Sequence, residues 1–454
     1  MGWEDVLCDI VSHLTLKEAA RASVLSSSWR NAWRHYPDLT FSHSIFPRNI
    51  HVTPSMSRQV KLRLKEQTER FIHIVNNILQ RHSGLVVKSL KIKFNLYRVH
   101  QVHIDQWVGF AIKSKAADLI LDLRPLSLLT TNEPYVFPFN LFMDKQQCCI
   151  QVLRLNFCSF KPPLEFSCLN NLKTLDLRSV DIIEVDVDSL LTNCICLEYL
   201  RIEKCDKLIN LVVSHPLHSL QSLVVRNCRS LQRIDFLVAS HPLHCLQSLV
   251  VRDCRSLQRI DLDAVDLAYF VVKAPRVVDA WIGIHSPIVV LHILSELADM
   301  LPDLQKLCLH LSSTENEMLF MPGNTSMFMH LRDLDLRILH WKNLHMRELL
   351  LLGHVLDLAP VMQRCNLNLH EKEPYDAYCP LMKRLPTSFH THLKEVMITG
   401  FVSEWQYASL AAHFLFNATS FQTMEITSMY KPMQCGEKLL VHRDFCSRIP
   451  YVVS

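Results

Sequence analysis

Apolar residues recur along most of this chain as L-x-x-L-x-L, with polar residues in the gaps. Side chains alternate across a strand, so the second and third apolar residues of each unit share one buried face and the residues between them point the other way. The pattern is clearest in a near-exact duplication. SHPLHSLQSLVVRNCRSLQRIDF begins at Ser214 and SHPLHCLQSLVVRDCRSLQRIDL at Ser240, 26 residues later. The copies differ only at Ser219/Cys245, Asn227/Asp253 and Phe236/Leu262.

Each copy contains L-x-x-L-x-V-x-x-C-x-x-L, the leucine-rich-repeat signature with Val at one Leu position. Stacked repeats contact only their neighbours, so such an array gains a copy easily and builds surface instead of a catalytic pocket. Similar cores begin near Val87, Ala116, Ile150, Leu172, Leu197, Leu220, Leu246, Leu267, Leu304, Leu331, Met362, Leu393 and Phe421. The gap after Leu267 hides a degenerate repeat or insertion around Val277–Ile284. The longer repeats have room for helices at Val290–Met300, Met346–Leu358 and Trp405–Phe416, while the shorter middle ones return by turns or single helical turns. The expected fold class is α/β: a short three-helix N-terminal unit, then a solenoid with one curved parallel sheet on the concave face and helices and turns on the convex face.

Ahead of the repeats, Val6, Leu7, Ile10, Val11 and Leu14 fall on one helical face, and Thr15-x-x-Glu18 is a capping box for a second helix. Ser26 caps a third, which places Trp29 and Trp33 one turn apart before Pro37 stops it. A unit this small cannot hide both tryptophans. They dock on the following domain or anchor another protein. A later stripe, Phe71, Ile72, Val75, Ile78 and Leu79, reads as a helix ending at Gly84.

Composition narrows the classes. A net charge of +4 over 454 residues does not point to nucleic acid or an anionic membrane. The apolar run at Leu349–Val361 is too short to span a bilayer, the N-terminus lacks a basic signal-peptide region, and Val6 occupies the position where a myristoylation signal needs Ser or Thr. The 16 cysteines are therefore expected as reduced thiols in a nuclear and/or cytoplasmic protein.

Cys158, Cys205, Cys228 and Cys254 occupy equivalent repeat positions, which makes a linear ladder and not a tetrahedral metal site. His215, His218, His241 and His244 form two HPLH segments, which duplication explains more simply than zinc. No cofactor is expected, and no catalytic motif is found. The candidate target-binding residues are those flanking the core leucines on the strands: Arg154, Asp176, Arg178, Arg201, Arg226, Arg252, His310 and Arg337, with Asn156, Tyr199, Glu203 and Asp335 beside them. Arg226 and Arg252 occupy equivalent places in successive repeats, which suits an acidic or phosphorylated segment; a solvated face with acidic neighbours is the alternative.

EDVLCDIVSHLTLKEAARASVLSSSWRNAWRHYPDL resembles the F-box of plant F-box/leucine-rich-repeat proteins, through its E-D-V-L start, A-x-R-x-S-V-L-S run, W-R-x-x-W pair and closing P-D-L. FIHIVNNILQRHSG with VKSLKIKF, and FPFNLFM before CIQVLRLNFCSF, resemble the same group, and HTHLKEVMITGFVSEWQYASLAAHFLFNA resembles its C-terminal FBD module. The resemblance divides the chain into an F-box-like unit (1–41), a helical linker and cap (42–84), leucine-rich repeats (85–385) and FBD-like repeats with a C-terminal cap (386–454). It implies a non-catalytic subunit that binds a Skp-family adaptor, and through it a cullin, by Leu7, Ile10, Leu14, Val24, Trp29 and Trp33, while the repeats hold a protein target. Where the family has Leu-Pro before the first helix, Trp3 precedes Glu4, so the F-box reads as shortened. A repeat scaffold outside any ligase is the alternative, and a small-ligand receptor is a third class.

Overall fold

A computed structural model describes residues 18, 33–43, 58–83, 87–125, 132–143, 148–163, 166, 168–236, 243–284, 296–312, 327–339, 358–370, 390–401, 411, 414–415, 417–428 and 438–442. In chain order the elements are β1 (Asp38–Ser42), α1 (Arg58–Arg81), β2 (Ser89–Lys93), α2 (Gln101–Lys113), β3 (Asp118–Asp122), β4 (Tyr135–Val136), α3 (Asn140–Met143), β5 (Val152–Asn156), β6 (Cys158–Ser159), β7 (Thr174–Arg178), α4 (Glu184–Leu191), β8 (Tyr199–Glu203), β9 (Asn210–Val212) and β10 (Ser222–Arg226). They continue as β11 (Arg233–Asp235), β12 (Ser248–Arg252), β13 (Arg259–Ala264), β14 (Tyr269–Lys273), β15 (Asp279–Ile284), β16 (Lys306–Ser312), β17 (Asp333–Leu339), β18 (Arg364–His370), β19 (Glu395–Phe401), β20 (Thr423–Ser428) and β21 (Lys438–His442).

The chain divides into two compact units, Met1–Ile209 with Leu217–Cys228, and Asn210–Pro216 with Arg229–Ser454. In the first, parallel strands run in the order β1-β2-β3-β5-β7-β8-β10. Each repeat enters its strand the same way. Leu172, Leu197 and Leu220 close a tight turn by donating N–H to the carbonyl three residues back, and the strand begins two residues later. The next two apolar residues, such as Leu175 and Leu177 or Leu200 and Ile202, are then fully buried, each contributing about 1.5–3 kcal/mol by leaving water. The exit is stereotyped too. Phe157, Ser179, Lys204 and Asn227, each next after the last residue of its strand, have φ between 48° and 61°, which turns the chain into the buried position that follows.

The helices cover this unit's core. Phe71, Ile72, Val75 and Leu79 of α1 are buried as the stripe predicts, with Phe71 stacked on Phe94 at 4.0 Å and edge-on to Trp107 of α2. Gly84 lies outside the described residues. The FPFNLFM segment supplies Phe137, Phe139 and Phe142, which pack with Phe160 and Phe166.

In the second unit β9-β11-β13-β15-β16-β17-β18-β19-β20 form a parallel ladder, closed by β21 antiparallel to β20. β12 also pairs in parallel with β14. The degenerate repeat expected around Val277–Ile284 is β15. Two expectations change here. A single curved sheet is replaced by more than one sheet, and the middle repeats return by strands instead of turns. The reason is a second apolar core in each copy: Leu231-x-x-Ile234-x-Phe236 follows Leu220-x-x-Leu223-x-Val225, and Leu257-x-x-Ile260-x-Leu262 follows Leu246-x-x-Leu249-x-Val251, all buried. β1 is also unforeseen; it begins inside P-D-L, and Leu39 and Phe41 are buried in this first strand of the ladder. Of the expected convex helices, residues 296–300 are helical, as are the described positions 411, 414 and 415, whereas of Met346–Leu358 only Leu358, in a turn, is among the described residues.

Candidate functional site

Parallel pairing in register puts equivalent residues of successive repeats side by side, about 4.8 Å apart. In the first unit this makes two charged rows on the strand face. One runs Lys91, Ile120, Arg154, Asp176, Arg201, Val224; the other runs Lys93, Asp122, Asn156, Arg178, Glu203, Arg226. The centre is a charge checkerboard. Arg178 grips Asp176 with two hydrogen bonds (Nε–Oδ1 2.8 Å, Nη2–Oδ2 2.7 Å), and Arg201 donates twice to Glu203. The directly opposed cross-strand contacts, Arg178 to Glu203 and Arg201 to Asp176, are each 4.0 Å. Asp176 is 3% exposed, so its charge is held by these partners and not by water. Arg124 closes on Asp122 with the same two-pronged geometry.

Of the other sequence-singled residues, Arg154 is exposed and pairs with no carboxylate among the described residues. Arg226 has a buried Nε without a hydrogen-bond partner among them. In the second unit Arg252 stands across from Lys273, His310 packs edge-on against Trp281 with ring centroids 5.7 Å apart, and Arg337 donates to Asp335 at 3.1 Å. The face is thus partly the self-neutralised surface set out as the alternative to an anion site. Leu7, Ile10, Leu14, Val24 and Trp29 lie outside the described residues; Trp33 begins a 3-10 turn, and nothing of its side chain is described.

Sequence reasoning missed a second row, Arg233, Arg259, Asp279, Lys306, Asp333, Arg364, Glu395, aligned across β11 to β19. Signs nearly alternate, and the charges pair across strands: Arg259 with Asp279 at 3.2 Å and Arg364 with Asp333 at 2.6 Å. A shallow pocket of about 400 Å³ opens on this row, lined by Asp279, Lys306, Cys308, Asp335, Asn366 and Met397 among others. The signal available was the R-I-D triplet repeated in both copies.

The cysteines behave as packing groups. Cys205 and Cys228 are fully buried with Sγ near the carbonyls of Leu177 and Ile202, and burial pushes the Cys205 thiol up to about 12. Among the described residues no cluster of His, Cys, Asp or Glu has metal-holding geometry, and no helix is long and apolar enough to cross a membrane.

Parallel strands regenerated from L-x-x-L-x-L cores, with charged residues on the open strand face, define a leucine-rich-repeat protein. The chain belongs to the family described as At1g61320/AtMIF1, LRR domain, which matches residues 78–239 and 233–450, and an F-box domain matches residues 4–39. Its relatives include three proteins of Arabidopsis thaliana. It is 29% identical over 214 residues to F-box/FBD/LRR-repeat protein At1g13570 (47% of this chain, 45% of the relative). It is 31% identical over 223 residues to F-box protein At1g60400 (47% and 45%), and 25% identical over 205 residues to FBD-associated F-box protein At1g66310 (44% and 39%). Each match thus spans less than half of the relative's length. The plant F-box/leucine-rich-repeat resemblance is thereby established, and FBD stands in the names of two of these relatives, as expected for an FBD-like region.

Proposed function

We propose that this protein is a non-catalytic substrate-recognition subunit of an SCF-type ubiquitin ligase. The F-box at residues 4–39 binds a Skp-family adaptor, and through it a cullin, by Leu7, Ile10, Leu14, Val24, Trp29 and Trp33. The strand faces of the repeats hold a protein target, with Arg154, Arg226 and Arg252 as cations left over after internal pairing. The mechanism is proximity: binding both partners raises the effective concentration of target lysines near activated ubiquitin carried by other subunits. The observation that carries the reading is the succession, in one chain, of an F-box and repeat ladders whose charged faces are open. A nuclear and/or cytoplasmic location goes with this role.

The test is capture of a purified Skp-family adaptor by the full-length chain, beside an Ile10→Ala/Trp29→Ala variant. Capture by the native chain and its loss in the variant is the expected result. No capture by the native chain overturns the ligase role. Trp3, standing where the family has Leu-Pro, then favours the second reading, a repeat scaffold outside any ligase.

A further inference from the structure

Many arginines on the strand faces are answered by a carboxylate, though, among the described residues, Arg154 and Arg226 are not. Arg178 has Asp176, Arg201 has Glu203, Arg259 has Asp261 and Asp279, Arg337 has Asp335, and Arg364 has Asp333. The β12–β14 pair departs from this pattern. Its strand face carries Ser248, Val250 and Arg252 beside Tyr269, Val271 and Lys273, in register, with no acidic residue among them. Arg252 and Lys273 are directly opposed, and like charges so placed repel. The Nε of Arg252 is buried without a hydrogen-bond partner among the described residues. The nearest carboxylate along the chain, Asp253, sits at φ 60° with its N–H bonded to the carbonyl of Lys273 at 3.2 Å, and it forms no ion pair with either cation. Repulsion, a buried unpaired donor and a missing acid are all relieved by an oxyanion lying between the two side chains, since a guanidinium and an ammonium a strand spacing apart both reach one carboxylate or phosphate.

The rest of the face says what accompanies that anion. Tyr269 is 51% exposed on the same side of β14 as Lys273, four residues or about 13 Å away, with Val250 and Val271 between the two ends. Extended peptides alternate on the same period as the strand. We propose that the β12–β14 face binds an extended acidic segment of the target, which places an oxyanion between Arg252 and Lys273 and an apolar side chain four residues away on Tyr269. This rests on the reading that the repeats hold a protein target, and it moves the anion site from the Arg226/Arg252 pairing suggested by sequence to one that includes Lys273.

The test uses the full-length chain and three fluorescein-labelled nonapeptides. They are identical except for one position, phosphoserine, glutamate or serine, four residues from a single leucine. In fluorescence anisotropy the two anionic peptides should bind at least 10-fold more tightly than the serine peptide. Arg252→Gln/Lys273→Gln should bring them down to the serine level, with an unchanged thermal midpoint. Lys273→Gln alone, at an exposed side chain, should show a partial loss and serves if the double variant does not fold. Phosphoserine binding tighter than glutamate identifies the oxyanion as a phosphate; equal binding identifies a carboxylate. Equal binding of all three peptides, binding of none, or unchanged binding by the variants overturns the site. Adaptor capture by the same preparation keeps the two readings apart. Capture without anion-selective binding sinks this site alone, and anion-selective binding without capture sinks the ligase role alone.

Discussion

Arg259 donates its Nε–H to Oδ2 of Asp261 at 2.7 Å, and Asp261 is completely buried. Arg233, the equivalent residue of the preceding copy, reaches the same oxygen at 3.2 Å while holding its own Asp235 at 2.6 Å. Copying R-I-D at a fixed period therefore gives Arg233 two acids, its own and the next copy's, while Arg259 has its own and Asp279 of the next strand. Removing the carboxylate with Asp261→Asn should cost about 2 kcal/mol in urea unfolding. That is less than a wholly buried pair would cost, because both arginines are nearly half exposed and keep Asp235 and Asp279. An unchanged midpoint would show that the ladder contributes nothing.

The left-handed exits of the strands give a stabilising substitution. Lys204 has φ 56° and is exposed. A side chain in that region costs about 1–2 kcal/mol, against about 0.5–1 kcal/mol for the greater freedom glycine has in the unfolded chain. Lys204→Gly should raise stability by about 0.5–1 kcal/mol. Asn227→Val, at φ 57°, should lower it by about 1 kcal/mol or more, since asparagine tolerates this region and a β-branched residue does not. A loss of stability in Lys204→Gly would mean the turn is not held by this geometry.

Thiol labelling separates the ladder from the surface. Cys245 is exposed, whereas Cys205, Cys228 and Cys254 are fully buried, with the Cys205 thiol held near 12. Since the thiolate is the reactive form, peptide-resolved mass spectrometry of the native chain should find Cys245 alkylated before these three, which are modified only after denaturant is added. Early modification of Cys228 would contradict its placement.

How far the fold is legible from sequence follows from what periodicity can encode. Leu172-x-x-Leu175-x-Leu177 is visible because each apolar residue marks its own strand. Leu231-x-x-Ile234-x-Phe236 obeys the same grammar, but its first residue also ends the C-x-x-L of the strand before, so it reads as the tail of one repeat instead of a strand of another ladder. β1 starts within P-D-L, and its two apolar residues are too few to make a period. The charged face is legible residue by residue and illegible as pairs. Arg178 and Asp176 lie two apart on one strand, but Lys273 becomes Arg252's neighbour only once the register of β12 on β14 is known. The irregular core Leu267-x-x-Phe270-x-Val272 gives no reason to single out the lysine that follows it.

Gly283 faces Asp263 across the β13–β15 pair so closely that an added Cβ would overlap the aspartate carboxylate. Gly283→Ala should therefore destabilise by about 1–3 kcal/mol, as overpacking does. Asp263→Ala in the same chain should recover most of the loss, because it removes the overlapping group. Additive effects in that double-mutant cycle would place the strain elsewhere.

Acid should weaken the first unit through its buried and half-buried imidazoles. His82 shares a 2.9 Å hydrogen bond between Nε2 and the carbonyl of Tyr36, which ties the end of α1 to the segment before β1. Burial lowers its pKa below the usual 6.5, outweighing the opposing effect of that bond, and burial also lowers His43 and His100. Groups depressed in this way bind more protons unfolded than folded, so stability rises with pH across the interval between the folded and unfolded values. Their contribution is complete above about pH 6.5 and is lost as pH falls through the lowered folded values. Urea unfolding should give a clearly lower free energy at pH 5.5 than at pH 7.5, and His82→Gln should reduce that difference by removing one of these titrations. An identical pH dependence in the variant would exclude His82 as a source of the acid sensitivity.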